Sequence, residues 1–448
     1  MLLTGWGRTS PSRAEVLEVS VDEVASAITS AGPRGLVARG LGRSYGDAAQ
    51  NAGGRVLRML GDVRDVRVDN AQGTAWVPAG VALRQLIPRL LREGWFVPVS
   101  PGTCWVTAGG AIAADIHGKN HHRDGSFGAA VRWLDMVDGT GQRRRLEPTG
   151  TPEEFWATVG GMGLTGVVLG ACIGLKAVRT AFMCVDTERA DNLRETLDLL
   201  READMRAPYS LAWVDLLARG PSLGRAVVSC ADHALPDQLG GGARRDPLAL
   251  PDGEGVQLPR WIPEGLLNRA SMRAFNELWF RKAPRCRRGA IVGIGPFFHP
   301  LDQISDWNRL YGRRGFVQYQ FLLPFGAEEA LQELVQLVAH HGSGSFLGVL
   351  KRLGTANPSP LSFPAPGWAL ALDMPVHPGV RDLLERLDGL LLAAGGRIYL
   401  AKDARAGADT IAAMYPRLPE FQQVRRRLDP GGVFCSDLAR RLDLMGKP

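Results

Sequence analysis

The sequence predicts an α+β protein of two domains, and three observations carry that reading. The chain has 448 residues, more than one ordinary core holds and enough to bury a large interior without disulfides or metals. Its first third alternates short apolar runs with glycine turns, the punctuation of sheets with short connections. From Ala181 the text changes to amphipathic helices set between longer apolar strands, which predicts a second sheet with helices on one face. The boundary falls near residue 180.

In chain order, GLVARGLGRSYGD (residues 35–47) begins as a strand and ends in a glycine loop. VRVDNAQGTAWVPAGV reads as a hairpin turning near Gln72 and Gly73, and LRQLIPRLLREG then follows a helical period despite Pro88. ERADNLRETLDLLREAD reads as an amphipathic helix, and the Pro/Gly-rich text from Pro236 to Pro263 as a surface loop. GFVQYQFLLP and GWALALDMPV are expected strands, with the helix AEEALQELVQLVAHHG between them, and RIYLAKDAR is strand-like. The tail from Met414 is helical and polar-faced, free on sequence grounds to cap the second domain or to return to the first.

Composition narrows the function. No apolar run reaches the length of a membrane span, and the N-terminus lacks a basic start with a long apolar middle, so the expected compartment is the cytoplasm. Six scattered cysteines form no CxxC pair and point to neither a zinc site nor a disulfide framework. The net charge of +7 suits anionic substrates or an anionic lipid surface; the arginines are too dispersed for a nucleic-acid interface. Lysine stands at six positions only, 119, 176, 282, 351, 402 and 447, among 53 basic residues. Where lysine survives, a compact amine with a movable pKa is available.

Gly161, Gly163 and Gly166 match GxGxxG, yet the β-branched text after them suits a strand and not the helix that a dinucleotide fingerprint requires. A better cradle is the pair of loops over residues 39–47 and 101–111, whose glycines let backbone N–H groups face one concavity. Directly after the second loop, His117, His121 and His122 fall within six residues. The Gly118-Lys119-Asn120 spacer argues against a helix presenting i and i+4 metal ligands, and no metal is expected.

RGLGRSYGDAAQN, PGTCWVTAGGAIAADIHGKNHHRDGSFG, FWATVGGMGLTGVV and YLAKDAR together resemble the decaprenylphosphoryl-β-D-ribose 2′-oxidase family, over essentially the whole chain and most weakly around residues 185–265. This is the flavin subunit of a two-protein 2′-epimerase, within the vanillyl-alcohol-oxidase-like FAD superfamily. The resemblance implies an α+β, two-domain FAD-binding fold of the PCMH type. Residues 1–180 would form the FAD domain, completed by 397–448, and residues 181–396 an inserted antiparallel-sheet substrate domain. It further implies oxidation of the ribose 2′-hydroxyl of decaprenylphosphoryl-β-D-ribose, or a related polyprenylphosphoryl sugar, to the 2′-keto intermediate. The partners would be that lipid and an NAD(P)H-dependent short-chain reductase, with peripheral contact to the inner face of the plasma membrane and no nucleic acid. The alternative is an O2-using FAD oxidase of a free small carbohydrate.

The same resemblance distributes roles. FAD would be held by Arg39, Gly40, Leu41, Gly42, Arg43, Ser44, Tyr45, Gly46, Gly102, Thr107, Ala108, Gly109, Gly110, Ala114, His117, Val168 and Tyr399. The first glycine loop contains no histidine of the kind that tethers FAD in many superfamily members, so the cofactor is expected to be noncovalent. Lys402, His117 and Tyr45 are the expected catalytic residues, with Lys402 and His117 both open as the base. Lys119, Gln318, Gln320, Lys351, Ala371 and Lys402 would meet the substrate, Gln318 and Gln320 from one side of their strand. His121 and His122 are expected to fix their loop through backbone hydrogen bonds. Mycobacterial members carry Asn and Cys where this chain has Ala369 and Ala371, and the Cys is where nitroaromatic inhibitors attach.

Overall fold

The computed structural model describes residues 1–250, 256–258, 265, 267–344 and 346–446. Among the described residues the N-terminal part holds two main sheets beside two short two-stranded pairs. Strands Glu15–Val19, Arg55–Met59 and Leu36–Arg39 lie side by side in that order, both pairs parallel. A five-stranded antiparallel sheet follows in the order Arg143–Leu146, Val131–Val137, Val167–Gly174, Thr74–Pro78 and Arg67–Asp69. Its last two strands are the hairpin around Gln72 and Gly73. Strand Val167–Gly174 leaves directly from the GxGxxG text, which is a turn with Met162 and Gly163 at positive φ. Helix Leu83–Leu91 tolerates Pro88 and buries Leu83, Leu86, Ile87, Leu90 and Leu91.

The second part is built on eight antiparallel strands. Their order is Cys286–Gly293, Phe182–Ala190, Ala226–His233, Tyr209–Val214, Gly348–Leu353, Gly367–Pro375, Phe316–Pro324 and Arg397–Ile398. Helices Leu193–Arg206, Glu328–His341 and Val380–Ala393 cover one face, where Leu197, Leu200, Leu334 and Leu387 meet Val214, Val228, Phe321 and Trp368 in one core. Strand alternation sends Tyr319 and Phe321 to that core and Gln318 and Gln320 to the other face.

Two element readings need correction. Residues 188–190 belong to strand Phe182–Ala190, with Glu188 opposite Val228 and Ala190 opposite Ala226; the helix starts only at Leu193, where the Asn192 side chain accepts from the Glu195 N–H at 3.0 Å. RIYLAKDAR keeps just two strand residues. After Tyr399 N–H reaches Gln320 at 2.9 Å the chain turns, with Lys402 N–H donating back to the Tyr399 carbonyl at 2.9 Å. Of the loop expected over 236–263, the described portion contains a short helix at Gly241–Arg245, and residues 251–255 and 259–263 lie outside the described residues.

The tail joins the first part. Leu36 N–H donates to Val433 and Cys435 N–H to Leu36, so the tail extends alongside the parallel sheet, and Phe434 enters its core. Buried Asp429 fixes that turn, accepting from Arg425 and from the N–H groups of Val433 and Phe434. Further on, Arg441 reaches Asp47 of the first glycine loop and Asp403 of the Lys402 turn, each at 2.7 Å. One guanidinium therefore ties together the two segments that carry Tyr45 and Lys402.

Candidate active site

Between the glycine loops and the open face of the eight-stranded sheet lies a cavity of about 530 Å³, within the usual range for small-molecule sites. One wall comes from the loops: Gly40, Leu41, Gly42, Arg43, Ser44 and Tyr45 from the first, Gly102, Thr107 and Gly110 from the second, then Ala114 and His117. The opposite wall is Gln318, Gln320, Lys351 and Ala371 from the sheet, closed by Tyr399 and Lys402. Gly40 is needed for the loops to meet, since a Cβ there would lie 2.3 Å from Thr107 Oγ1; Gly42 holds φ +66°.

Arg39, Gly46, Ala108, Gly109 and Val168, expected at the cofactor, do not line this cavity. Arg39 turns back to donate to the Ala49 and Thr4 carbonyls, bracing the loop from behind. Gly46 is pressed against the Asp403 carbonyl, Gly109 against Ala79, and Ala108 and Val168 are buried in the core behind the second loop. Ala369 is likewise 1% exposed in the sheet core, so only Ala371 of the two alanines reaches the cavity.

Three of the six lysines meet here. Burial draws the Lys402 amine down to about 7, against the pull of Asp373 and with repulsion from Lys351 adding to the fall. Burial alone brings Lys351 to about 8, and burial with repulsion from Lys351 brings Lys119 to about 7. Lys119 donates to the carbonyls of Phe297 and Phe298 and lies 4.6 Å from the Phe297 ring centre; it is no surface charge. Lys402 sits 3.9 Å above the Tyr45 ring, whose phenol burial keeps protonated well above its ordinary range.

His117 is buried and neutral: burial dominates, and Lys351, His121 and Lys402 repel a second proton. Its Nε2 lies 2.8 Å from Gln320 Nε2, so the amide donates and the ring proton belongs on Nδ1, which has no partner among the described residues. His121 and His122 do not line the cavity, although the His121 ring stands edge-on to His117 at 6.5 Å. His121 Nδ1 accepts from Gly354 N–H at 3.0 Å and His122 Nε2 lies 3.3 Å from the Ala207 carbonyl, so both anchor this segment to the second part of the chain. Cys104, His299 and Asp302 place ligand-type atoms within 4.8 Å of one another, but both Asp302 oxygens already accept, from Thr103 and from Cys104 N–H.

Asp373, Trp6 and Trp105 escaped the sequence reading. Asp373 is fully buried and accepts from Gln318 Nε2 at 2.7 Å and Tyr311 at 3.3 Å, while burial lifts its carboxyl to about 7. The signal was present: Asp373 shares the face of Ala371 by strand period. The indoles of Trp6 and Trp105, which flank Arg43 at 3.9 and 5.4 Å, gave no such signal.

Comparison with known proteins now decides the class. Residues 13–147 match a family described as an FAD binding domain, and residues 370–442 one described as D-arabinono-1,4-lactone oxidase. Over 99% of its length the chain is 44% identical to decaprenylphosphoryl-beta-D-ribose oxidase of Mycolicibacterium smegmatis, covering 97% of that protein. The chain belongs to the decaprenylphosphoryl-β-D-ribose oxidase family. An uncharacterized protein of Streptomyces coelicolor is 41% identical over 81% of this chain and all of its own length. L-gulonolactone oxidase 5 of Arabidopsis thaliana is 27% identical over 86% of this chain and 72% of its own. As a member of the family the chain is an FAD-dependent oxidoreductase with the two-part PCMH-type fold.

The residues present fit FAD. Two glycine loops share one cavity wall, and buried Arg43 Nε and His117 Nδ1 are both left without a hydrogen-bond partner among the described residues. The first loop offers no histidine as a covalent tether.

Proposed function

We propose that this protein oxidises the ribose 2′-hydroxyl of decaprenylphosphoryl-β-D-ribose, or a closely related polyprenylphosphoryl sugar, to the 2′-ketone. The observation that carries this is one cavity in which Gln318, Gln320 and Lys351 from the sheet, closed by Lys402, face the glycine loops and the neutral His117. FAD, when bound, accepts the hydride from the carbinol carbon. In this reading residues 1–180 with 397–448 hold the cofactor noncovalently and residues 181–396 hold the substrate.

Lys402 takes the hydroxyl proton. Its pKa of about 7 leaves much of the amine free at neutral pH, whereas the His117 Nε2 lone pair is already engaged by Gln320. Asp373 orients Gln318 and offers Lys402 a counter-charge once it is protonated. Gln318 and Gln320 bind ribose hydroxyls, for which an amide supplies both donor and acceptor. Lys351 and Lys119 meet the phosphate, whose negative charge favours their protonated ammonium forms. The ketone is then reduced by an NAD(P)H-dependent short-chain enzyme, and both act at the inner face of the plasma membrane. Among the described residues no helix is long and apolar enough to cross a membrane.

The match to D-arabinono-1,4-lactone oxidase and the likeness to L-gulonolactone oxidase 5 favour one competing reading, oxidation of a free small sugar with O2. Anaerobic mixing separates the two. Bleaching of the yellow protein by a prenylphosphoryl ribose but not by free aldonolactones is expected; the reverse would overturn the proposal. The cofactor is expected in the supernatant after acid precipitation, and flavin in the pellet would refute noncovalent binding.

A further inference from the structure

The dispersal of arginine read along the chain has an exception: seven basic residues and a single acidic one fall between Arg269 and Arg288, a local excess of six in a chain of net charge +7. The acidic residue, Glu277, is engaged by Arg225 at 2.6 Å and by Arg281 at 2.5 Å, and Arg288 pairs with Glu188. Arg269, Arg273, Lys282, Arg285 and Arg287 are exposed and form no ion pair among the described residues. Nearby, desolvation first and then repulsion from Arg269 and Arg273 lower the pKa of Arg219.

Helix Arg269–Lys282 carries this charge on an unusual frame. Met272, Asn276 and Phe280, four residues apart, make its buried edge. Beside that edge Phe275, Leu278 and Trp279 are 42%, 70% and 47% exposed, and the rings of Phe275 and Trp279 stack at 5.9 Å. Large apolar side chains bordered by Lys282 and Arg281 are the composition of a helix lying in a lipid headgroup layer.

The strip is also continuous with the cavity. Trp279 packs edge-on against Trp213 at 6.5 Å, Phe275 against Phe346 at 5.9 Å, and the Trp213 indole N–H donates to the Phe346 carbonyl. Trp213 stands two residues beyond Leu211 on one strand, and Phe346 precedes Leu347; Leu211 and Leu347 both line the cavity. An apolar track therefore runs from the cavity wall to the exposed strip.

We propose that this helix docks the protein on an anionic lipid bilayer, with Phe275, Leu278 and Trp279 at the acyl boundary and the flanking basic residues on lipid phosphates. The track through Trp213 and Phe346 then leads the isoprenoid tail of the substrate from bilayer to cavity. This second part rests on the polyprenylphosphoryl reading of the substrate; the docking does not.

Flotation of the FAD-loaded full chain with vesicles tests it. Binding is expected to vesicles containing about one-third phosphatidylglycerol, to weaken with salt, and to be absent on pure phosphatidylcholine. Leu278→Glu and, separately, the pair Lys282→Glu with Arg285→Glu should each lose binding by about tenfold or more. Wild-type protein that floats with neither vesicle, or variants that float as well as wild type, would overturn the proposal. So would light scattering that finds a wild-type dimer split by Leu278→Glu, because the strip would then be covered by a second copy. Flavin reduction by a short-tailed, water-soluble phosphoryl ribose without vesicles is expected to be unchanged in both variants. Its absence in the wild-type protein would overturn the substrate reading and leave the docking result standing.

Discussion

Two regions of this molecule gather positive charge, the cavity and residues 269–288, and they handle it in opposite ways. In the cavity it is carried by Lys119, Lys351 and Lys402, whose buried amines sit at about 7 to 8. On the helix and strand from Arg269 to Arg288 it is carried by six arginines and Lys282, exposed to water. A guanidinium stays charged in any setting, whereas a desolvated amine can give up its proton. The difference separates a region that can exchange protons from one that can only attract anions.

Replacing Lys402 should break the first region most severely. Lys402→Met is expected to slow flavin reduction by about a thousandfold, and Lys402→Arg should fail to rescue it because a guanidinium cannot accept the proton. Stopped-flow reduction with flavin content measured in parallel checks both. In the wild-type protein the rate should rise with pH through about 7, as the amine is freed; a rate that falls over that range would give the ammonium, and not the free amine, the working role.

Arg441 is a charge of the other kind, fixed and structural. It bridges Asp47 and Asp403 while 24% exposed at the side chain, so Arg441→Ala leaves two carboxylates facing each other and should cost about 3 kcal/mol of stability. Urea unfolding with and without FAD measures this. A cost below about 1 kcal/mol would mean that water replaces the guanidinium and the clamp is incidental.

The cavity lysines also predict how the flavin-free protein responds to pH. Their folded pKa values of about 7 to 8 lie below the ordinary lysine value of 10.5. Between pH 7 and 9 the unfolded chain therefore binds more protons than the folded one, and stability should increase with pH. Thermal unfolding should show that slope flattened in Lys351→Met and unaltered in Lys282→Met, which changes only the exposed region.

The mildest change is Ala371→Cys. Ala371 lies opposite Gln320 in the sheet and reaches the cavity, so a thiol there should be tolerated, at a cost under about 1.5 kcal/mol. It should place sulfur where an activated nitroaromatic can be trapped. Intact mass after turnover is expected to show an adduct on the variant and none on the native chain; an adduct on the native chain would locate a reactive thiol elsewhere.

Much of the cavity was legible because it is made by local pattern. The two glycine loops, the period-two pair Gln318 and Gln320, and the rarity of lysine each point inward without any tertiary knowledge. Other expected residues lie outside the cavity lining for a common reason: adjacency in a loop does not say which way a residue faces. Arg39 and Gly46 sit within a cavity-lining loop and still turn to the Ala49 carbonyl and to Asp403. Ala369 and Ala371 share a strand face, yet the cavity ends between them.

The sequence by itself determined the α+β character, the strands that present the glutamines, the absence of a tethering histidine in the first loop, and the choice of lysine over arginine at 119, 351 and 402. These depend on side-chain chemistry and on spacings of two to four residues. Only the tertiary structure decided that Asp373 meets Gln318, that Arg441 clamps Asp47 to Asp403 and that Phe275 and Trp279 continue a track from the cavity. Arg441 lies 394 residues from Asp47 in the chain, and no local periodicity carries information over that distance. Burial does the rest, because an amine reaches about 7 only where the fold has removed the water around it.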